Sequence, residues 1–391
     1  MVSLLLVFGI ATAVFVGFNI GGSSTGVAFG PAVGSRSVSK LGAATLMTVF
    51  AFLGGFTTGK NVIKTMSVDV VPREVYTLEG AAGVLLFVGI ALLISNLFGV
   101  PASTSMTAVG AIAGLGVATE TLRWAVLGEI VVWWLIAPIV AFWICAVIGR
   151  YLYPHLAVRF PLDNSDGPLI VFDRSGAVPI PRLGPNTDRM ELLGNVLVVV
   201  VACYMAFSAG ASNVANAVAP LIANNALSMN VGVVLGSVAI GIGAFSIARR
   251  TLDTVGNDLT DLPILAALIV EIVSATIITT LSNLGIPASL AVSATMCIVG
   301  LGWGRATRTV TLSHVAAEAI RDPSSHGAHS ESSVEIGPRE VPDIGDPDPN
   351  TFTARELFDP SATARVFVLW MLTPSFAAIA AYFVFKYVIG V

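Results

Sequence analysis

The chain has 391 residues, of which 55% are hydrophobic and only 11% charged, with a formal net charge of −4 and a mean hydropathy of +0.85. A soluble globular domain carries about 25% charged residues, so this composition excludes one. It also holds no clustered basic surface of the kind a nucleic-acid partner needs. The class expected is an all-α polytopic protein of the cell membrane, with the lipid bilayer as its solvent.

Taken in chain order, apolar runs near the ~20 residues that cross a bilayer as a helix fall at 2–20, 41–56, 81–98, 124–148, 192–209, 231–247, 264–281 and 364–388. Shorter apolar pieces at 104–117 and 288–302 read as half-length helices. The first run has no Lys or Arg before it and no small-x-small cleavage site after it, so it reads as a span, not a signal peptide. Cys145, Cys203 and Cys297 all sit inside apolar segments, where a thiol behaves as a small hydrophobe; neither a disulfide framework nor a metal spacing is present.

Landmarks recur along the chain. GGSSTGVAFGP begins at Gly21 and GASNVANAVAP at Gly210, a step of 189 that also pairs Ala28 with Ala217 and Pro31 with Pro220. GKNVIKT ends at Thr65 and ARRTLDT at Thr254, again 189 apart. GVPAS ends at Ser103 and GIPAS at Ser289, a step of 186, and WLIAP ends at Pro138 where WMLTP ends at Pro374, a step of 236. Four landmarks in one order mark a duplication: a first membrane repeat at 1–150, a connecting loop at 151–190 and a second repeat at 191–391. The larger last step reflects an insertion at about 308–360, whose acidic stretch at 321–360 is rich in Pro, Ser and Gly and reads as a flexible loop. Arg159, Arg174, Arg182 and Arg189 in the connecting loop lean it toward the cytoplasm, nearly balanced by Asp163, Asp166, Asp173 and Asp188. Offsets alone leave open whether the repeats are parallel or inverted.

Each half interrupts its apolar runs twice, at 21–35 and 100–105, then at 210–224 and 286–293. Secondary transporters place substrate where discontinuous helices of two repeats meet. Glycine lets a backbone leave helical dihedrals and proline stops propagation. A new helix N-terminus carries about half a positive charge and binds anions without Lys or Arg. The expected substrate shell is Ser23, Ser24, Thr25, Ser103, Thr104, Ser212, Asn213, Asn216 and Ser289. Small and hydroxylic residues also serve close helix packing, which is the plain alternative for any one of them. The duplicated cluster with two asparagines exceeds what packing needs.

Among ionisable groups, Glu271 lies deep in its span and is a candidate for ion coupling, together with Asn213; a helix-to-helix hydrogen bond is its alternative role. Glu129 lies near Arg123 and reads as interfacial. Lys60, Lys64, Arg249 and Arg250 take matching places after a span in each repeat, to gather anions or to anchor the interface by snorkelling. His326 and His329 sit in the acidic loop with no second ligand cluster, so no metal is expected. No Walker sequence is present, and no nucleophile–base pair marks an enzyme.

Together these motifs resemble the PiT inorganic phosphate transporter family, in GASNVANAVAP (210–220), RRTLDTVGNDLTDL (249–262), VPASTSM (100–106) and IPASLAVSATM (286–296). The resemblance implies two inverted repeats with broken or re-entrant helices, transport of inorganic phosphate by symport, and no cofactor beyond Na⁺ or H⁺ as coupling ion. It also implies a functional place for Glu271. Asn213 stands where the family's signature aspartate would, Ser24 takes the same place in the first copy, and Met106 stands for the histidine of the third motif. FNIGGSSTGVAFGP is similar to the sequence of sulfate permeases that share the fold. The expectation is thus a secondary transporter of inorganic phosphate, with a sulfate permease as alternative and a non-transporting receptor or scaffold as another. A homo-oligomer is compatible with either.

Overall fold

The computed structural model describes residues 3–97, 103–160, 170–173, 180–183, 189–246, 263–309 and 360–389. Within them the chain forms helices α1 (Leu4–Gly34), α2 (Lys40–Phe56), α3 (Gly59–Lys64), α4 (Leu78–Leu97), α5 (Thr104–Ala118), α6 (Trp124–Val147) and α7 (Tyr153–Arg159). The second half has α8 (Arg189–Ala223), α9 (Met229–Ser246), α10 (Ile264–Asn283), α11 (Leu290–Thr309) and α12 (Pro360–Val384). A short antiparallel hairpin, β1 (Ile170–Asp173) with β2 (Ile180–Leu183), lies in the connecting loop. The acidic loop, His326, His329, Arg249 and Arg250 fall outside the described residues.

Seven helices are long and apolar enough to cross a membrane, and eight if α2 and the following segment Gly59–Asp69, bent by 62°, count as one span. Every apolar run read from the sequence is a helix. Two extend further than expected. α1 continues to Gly34 and α8 to Ala223, straight through the stretches 21–35 and 210–224 that were expected to interrupt them. The reason is local. Ser23 donates to the carbonyl of Asn19 and Thr25 to that of Gly21, so their hydroxyls are satisfied along the helix itself. Pro31 and Pro220 come within the last turn of each helix, so each removes one hydrogen bond to the carbonyl four residues back close to where the helix stops.

Of the second pair of interruptions, 286–293 holds, and so does the described part of 100–105, from Ser103 onward. Gly285 adopts φ +79°, a backbone that an L side chain resists, and ends α10 so that α11 starts afresh at Leu290. Ser103 precedes α5 in an extended conformation.

What the small residues do instead is bring helices together. A Cβ added at Gly21 would lie 1.9 Å from the Ile240 carbonyl oxygen, and one at Gly243 would lie 2.1 Å from that of Phe18. Moved on by 189, the same contacts reappear: Gly210 at 2.0 Å from the Ala51 oxygen and Gly54 at 1.9 Å from that of Phe207. α1 therefore packs on α9 as α8 packs on α2. Gly9 of α1 meets Leu221 near the end of α8, while Ser24 and Asn213 meet farther along. Repeat-equivalent helices thus run antiparallel, and the two repeats are inverted.

Candidate anion-binding site

Ser24 and Asn213 are repeat counterparts, and they touch: Asn213 Nδ2 donates to Ser24 Oγ at 3.4 Å. Two equivalent positions can meet only where the pseudo-twofold axis passes. Here the tips of α5 and α11 arrive from opposite repeats. Together they enclose a hollow of about 310 Å³, its open mouth included, lined by Ser23, Ser24, Val27, Thr104, Asn213, Ser289, Leu290 and Ala291. The space open to the centre of a water-sized molecule is about 20 Å³, room for about one water, so an oxyanion needs the tips to part.

One wall is a connected polar network. Thr104 Oγ1 donates to Asn213 Oδ1 at 2.6 Å. Asn216 Nδ2 lies 3.2 Å from Asn213 Oδ1, 3.3 Å from Thr104 Oγ1 and 3.2 Å from Ser105 Oγ. Ser212 and Ser105 both donate to the Ala288 carbonyl, at 2.6 and 3.0 Å, tying the second tip to α8 as well. Asn213 Oδ1 therefore already accepts two hydrogen bonds, which uses its two lone pairs. Ser23 and Thr104 have given their hydroxyl protons to the Asn19 carbonyl and to Asn213 Oδ1 and so face a ligand with lone pairs, while Ser24, Ser289 and the second Asn213 N–H are left as donors.

The helix tips add to that field. Ser289 Oγ accepts from the Val292 N–H at 3.3 Å and so caps α11. The N–H groups at the first turn of any helix lack an intrahelical partner, and both tips carry the positive end of a helix dipole. The hollow needs no Lys or Arg to attract an anion, and none lines it.

Of the residues expected from the sequence, Ser23, Ser24, Thr104, Asn213 and Ser289 line the hollow. Ser212 and Asn216 lie directly behind, holding Ser105, Thr104 and Asn213 in place. Thr25 is fully buried and bonded back along its own helix. Ser103 is buried outside the lining, with an Oγ that has no partner among the described residues. Glu271 is also outside the lining, on α10. It is 3% exposed, and neither carboxyl oxygen has a hydrogen-bond partner among the described residues.

Sequence reasoning missed Ser105, although it sits in the same VPASTSM motif. It also missed the Asn19–Asn96 pair, in which Asn96 Nδ2 donates to Asn19 Oδ1 at 3.1 Å one turn below Ser23. The amide in FNIGG was the available signal; its partner on α4 could be known only from the fold. Glu129 is exposed on α6, and Arg123 donates to the Val68 carbonyl at 3.1 Å. Lys60 stands over the Phe56 ring, 3.6 Å from its centroid, an anchoring contact at the exposed end of α2.

Inverted membrane repeats whose half-helix tips meet at a polar hollow on the symmetry axis are an architecture that many secondary transporters share. Comparison with known proteins gives the family. Residues 20–381 match the model of the phosphate transporter family, and the chain belongs to it as a multi-pass membrane protein of a transport family. It is 29% identical over 295 residues to the sulfate permease CysP of Bacillus subtilis, covering 75% of this chain and 76% of that one. A candidate phosphate permease of Chlamydia trachomatis is 26% identical over 391 residues, covering 79% of this chain and 92% of that one. A solved structure titled the sodium-dependent phosphate transporter shares the fold with a TM-score of 0.69 at 19% identity, over 98% of both chains.

Proposed function

We propose that this chain is a secondary active transporter carrying inorganic phosphate across the cell membrane, with the anion held between the tips of α5 and α11 against Ser23, Ser24 and Asn213. The observation that carries the reading is the hollow itself, a polar space without basic side chains on the axis that relates the two repeats. Membership of the phosphate transporter family and likeness to named phosphate permeases support phosphate as the cargo. A Na⁺ or H⁺ gradient drives uptake. Glu271, an unpartnered carboxyl inside the membrane, is the group suited to carry the coupling proton or to neutralise a cation.

One observation favours a second cargo. No carboxylate lines the hollow, and the nearest amide oxygen is already saturated. Hydrogen phosphate brings a P–OH that needs an acceptor, whereas sulfate is a dianion that needs only donors. Where no hydroxyl lone pair of Ser23 or Thr104 takes that proton, the unmet donor costs about 1–3 kcal/mol, enough to favour sulfate by about ten- to a hundredfold, and likeness to a sulfate permease supports the same choice. Uptake of labelled phosphate and of labelled sulfate into proteoliposomes, each with a Na⁺ or an H⁺ gradient imposed, tests both readings. Accumulation of neither anion would end them.

A further inference from the structure

Repeat counterparts in this fold do not sit in equal surroundings. Ser23, Val27 and Ala291 are part-exposed where they line the hollow. Their counterparts, by the steps of 189 and 186, are Ser212, Asn216 and Ser105, and these are buried to 1% or less. On the buried side the α5 tip is bonded to α8 through Thr104 to Asn213 and Asn216 to Ser105. On the open side the matching residues are Ser24, Val27, Leu290 and Ala291, of which Ser24 alone has a polar side chain.

Each tip is fixed to an outer helix. α5 lies on α12, where Cβ atoms at Gly110 and Gly114 would fall 2.7 and 2.3 Å from the carbonyl oxygens of Pro374 and Ala378. α11 lies on α6, where those at Gly300 and Gly304 would fall 2.1 Å from the oxygens of Phe142 and Ala146. Arg150 then reaches across from the end of α6 to the Thr307 carbonyl at 2.6 Å, and Arg308 returns to the Arg150 carbonyl at 2.8 Å. Lys386, 236 positions after Arg150, reaches the Ala118 carbonyl at the end of α5 in the same way, at 3.5 Å. Close backbone contact and these end-of-helix hydrogen bonds couple each tip to its outer helix.

The geometry points to Val27, Leu290 and Ala291 as the second gate of an alternating-access pair. The structure holds the site sealed between α5 and α8 and accessible between α11 and α1. Inverted repeats permit the reverse arrangement, with the two halves exchanging conformations. In that state the α11 tip closes on α1 by dry contact of Val27 with Leu290 and Ala291. The α5 tip parts from α8 and opens Ser212, Asn216 and Ser105 to the other side of the membrane. The two gates are built differently. One closes by a hydrogen-bonded network that an entering polar ligand can replace, the other by apolar contact. This inference rests on the repeat geometry within the proposed transporter and not on which anion it carries.

The test uses the full chain in a background carrying Cys145→Ala, Cys203→Ala and Cys297→Ala. Single variants Val27→Cys, Ala291→Cys, Asn216→Cys and Ser105→Cys are treated in sealed vesicles of known orientation with a membrane-impermeant methanethiosulfonate. Val27→Cys and Ala291→Cys should react from one face, about tenfold or more faster than Asn216→Cys and Ser105→Cys from that face. The latter two should react only from the opposite face. Ala291→Cys serves as the independent reading where Val27→Cys fails to insert. The double variant Val27→Cys with Leu290→Cys, oxidised by copper phenanthroline with dioxygen as the electron acceptor, should lose two thiol protons and form a disulfide. Closing that gate should raise reaction of Ser105→Cys, added as a third substitution, from the opposite face. Labelling of both sets from one face at similar rates would overturn the proposal, as would a cross-link that leaves the opposite face unchanged. Neither readout needs transport, so a failure of the phosphate or sulfate assignment shows separately in the uptake assay.

Discussion

Asn213→Asp separates the two cargoes. The side chain lines the hollow, and its Oδ1 accepts from Thr104 and Asn216 while its Nδ2 donates to Ser24. An aspartate keeps the first oxygen in the network and turns the donor face into an acceptor aimed at Ser24 and the ligand. Its charge disfavours both anions: at about 5 Å and an effective dielectric of about 20, one charge on another is worth about 3 kcal/mol. Sulfate and hydrogen phosphate are both dianions, so this repulsion nearly cancels between them. The P–OH of phosphate then gains a charge-assisted hydrogen bond of about 1.5–3 kcal/mol that sulfate cannot make. The ratio of phosphate to sulfate uptake should rise by about ten- to a hundredfold, read by competition between the two labelled anions in proteoliposomes. An unchanged ratio in a variant that still transports would refute this account of selectivity.

Glu271→Gln should leave anion exchange between equal pools intact while abolishing accumulation driven by a proton gradient, because the buried carboxyl loses its titratable proton but keeps its shape. Loss of exchange as well would mark Glu271 as structural. Gly54→Val should destabilise the protein by more than about 2 kcal/mol, since its Cβ would lie 1.9 Å from the Phe207 oxygen and the α2–α8 pair must separate. Gly128→Ala, with nothing within 4 Å of the added atom, should leave the melting temperature unchanged or raised. Tyr76→Phe removes the hydrogen bond from the fully buried phenol to the Met66 carbonyl at 2.9 Å and should cost about 1 kcal/mol of stability, measured by thermal unfolding in detergent.

The spans were legible because hydrocarbon thickness sets a length that apolar runs must match, and the repeat was legible because its landmarks kept their order. The tip at GIPAS was legible too, since proline and glycine leave a helix few ways to continue, and α5 starts at Thr104, inside the other stretch read as a break. The glycine–serine clusters at 21–25 and 210–213 misled. The same small residues that loosen a backbone also let carbonyls of neighbouring helices approach, and in α1 and α8 the second use won. Thr25 shows why the site could be read only in part: its hydroxyl turns back to Gly21, and which side of a helix meets the axis is set by packing, not by spacing. Ser105 and the Asn19–Asn96 pair needed a partner from elsewhere in the chain before their roles could appear.

The most direct measurement is the anomalous X-ray signal of selenate, a tetrahedral dianion, soaked into crystals of the protein. A peak in the hollow between Ser24, Thr104, Asn213 and Ser289, absent from a Ser24→Val variant, is the result expected of a site made of dipoles alone. Selenate found only beside Lys60, Lys64 or another basic side chain, with the hollow empty, would contradict it.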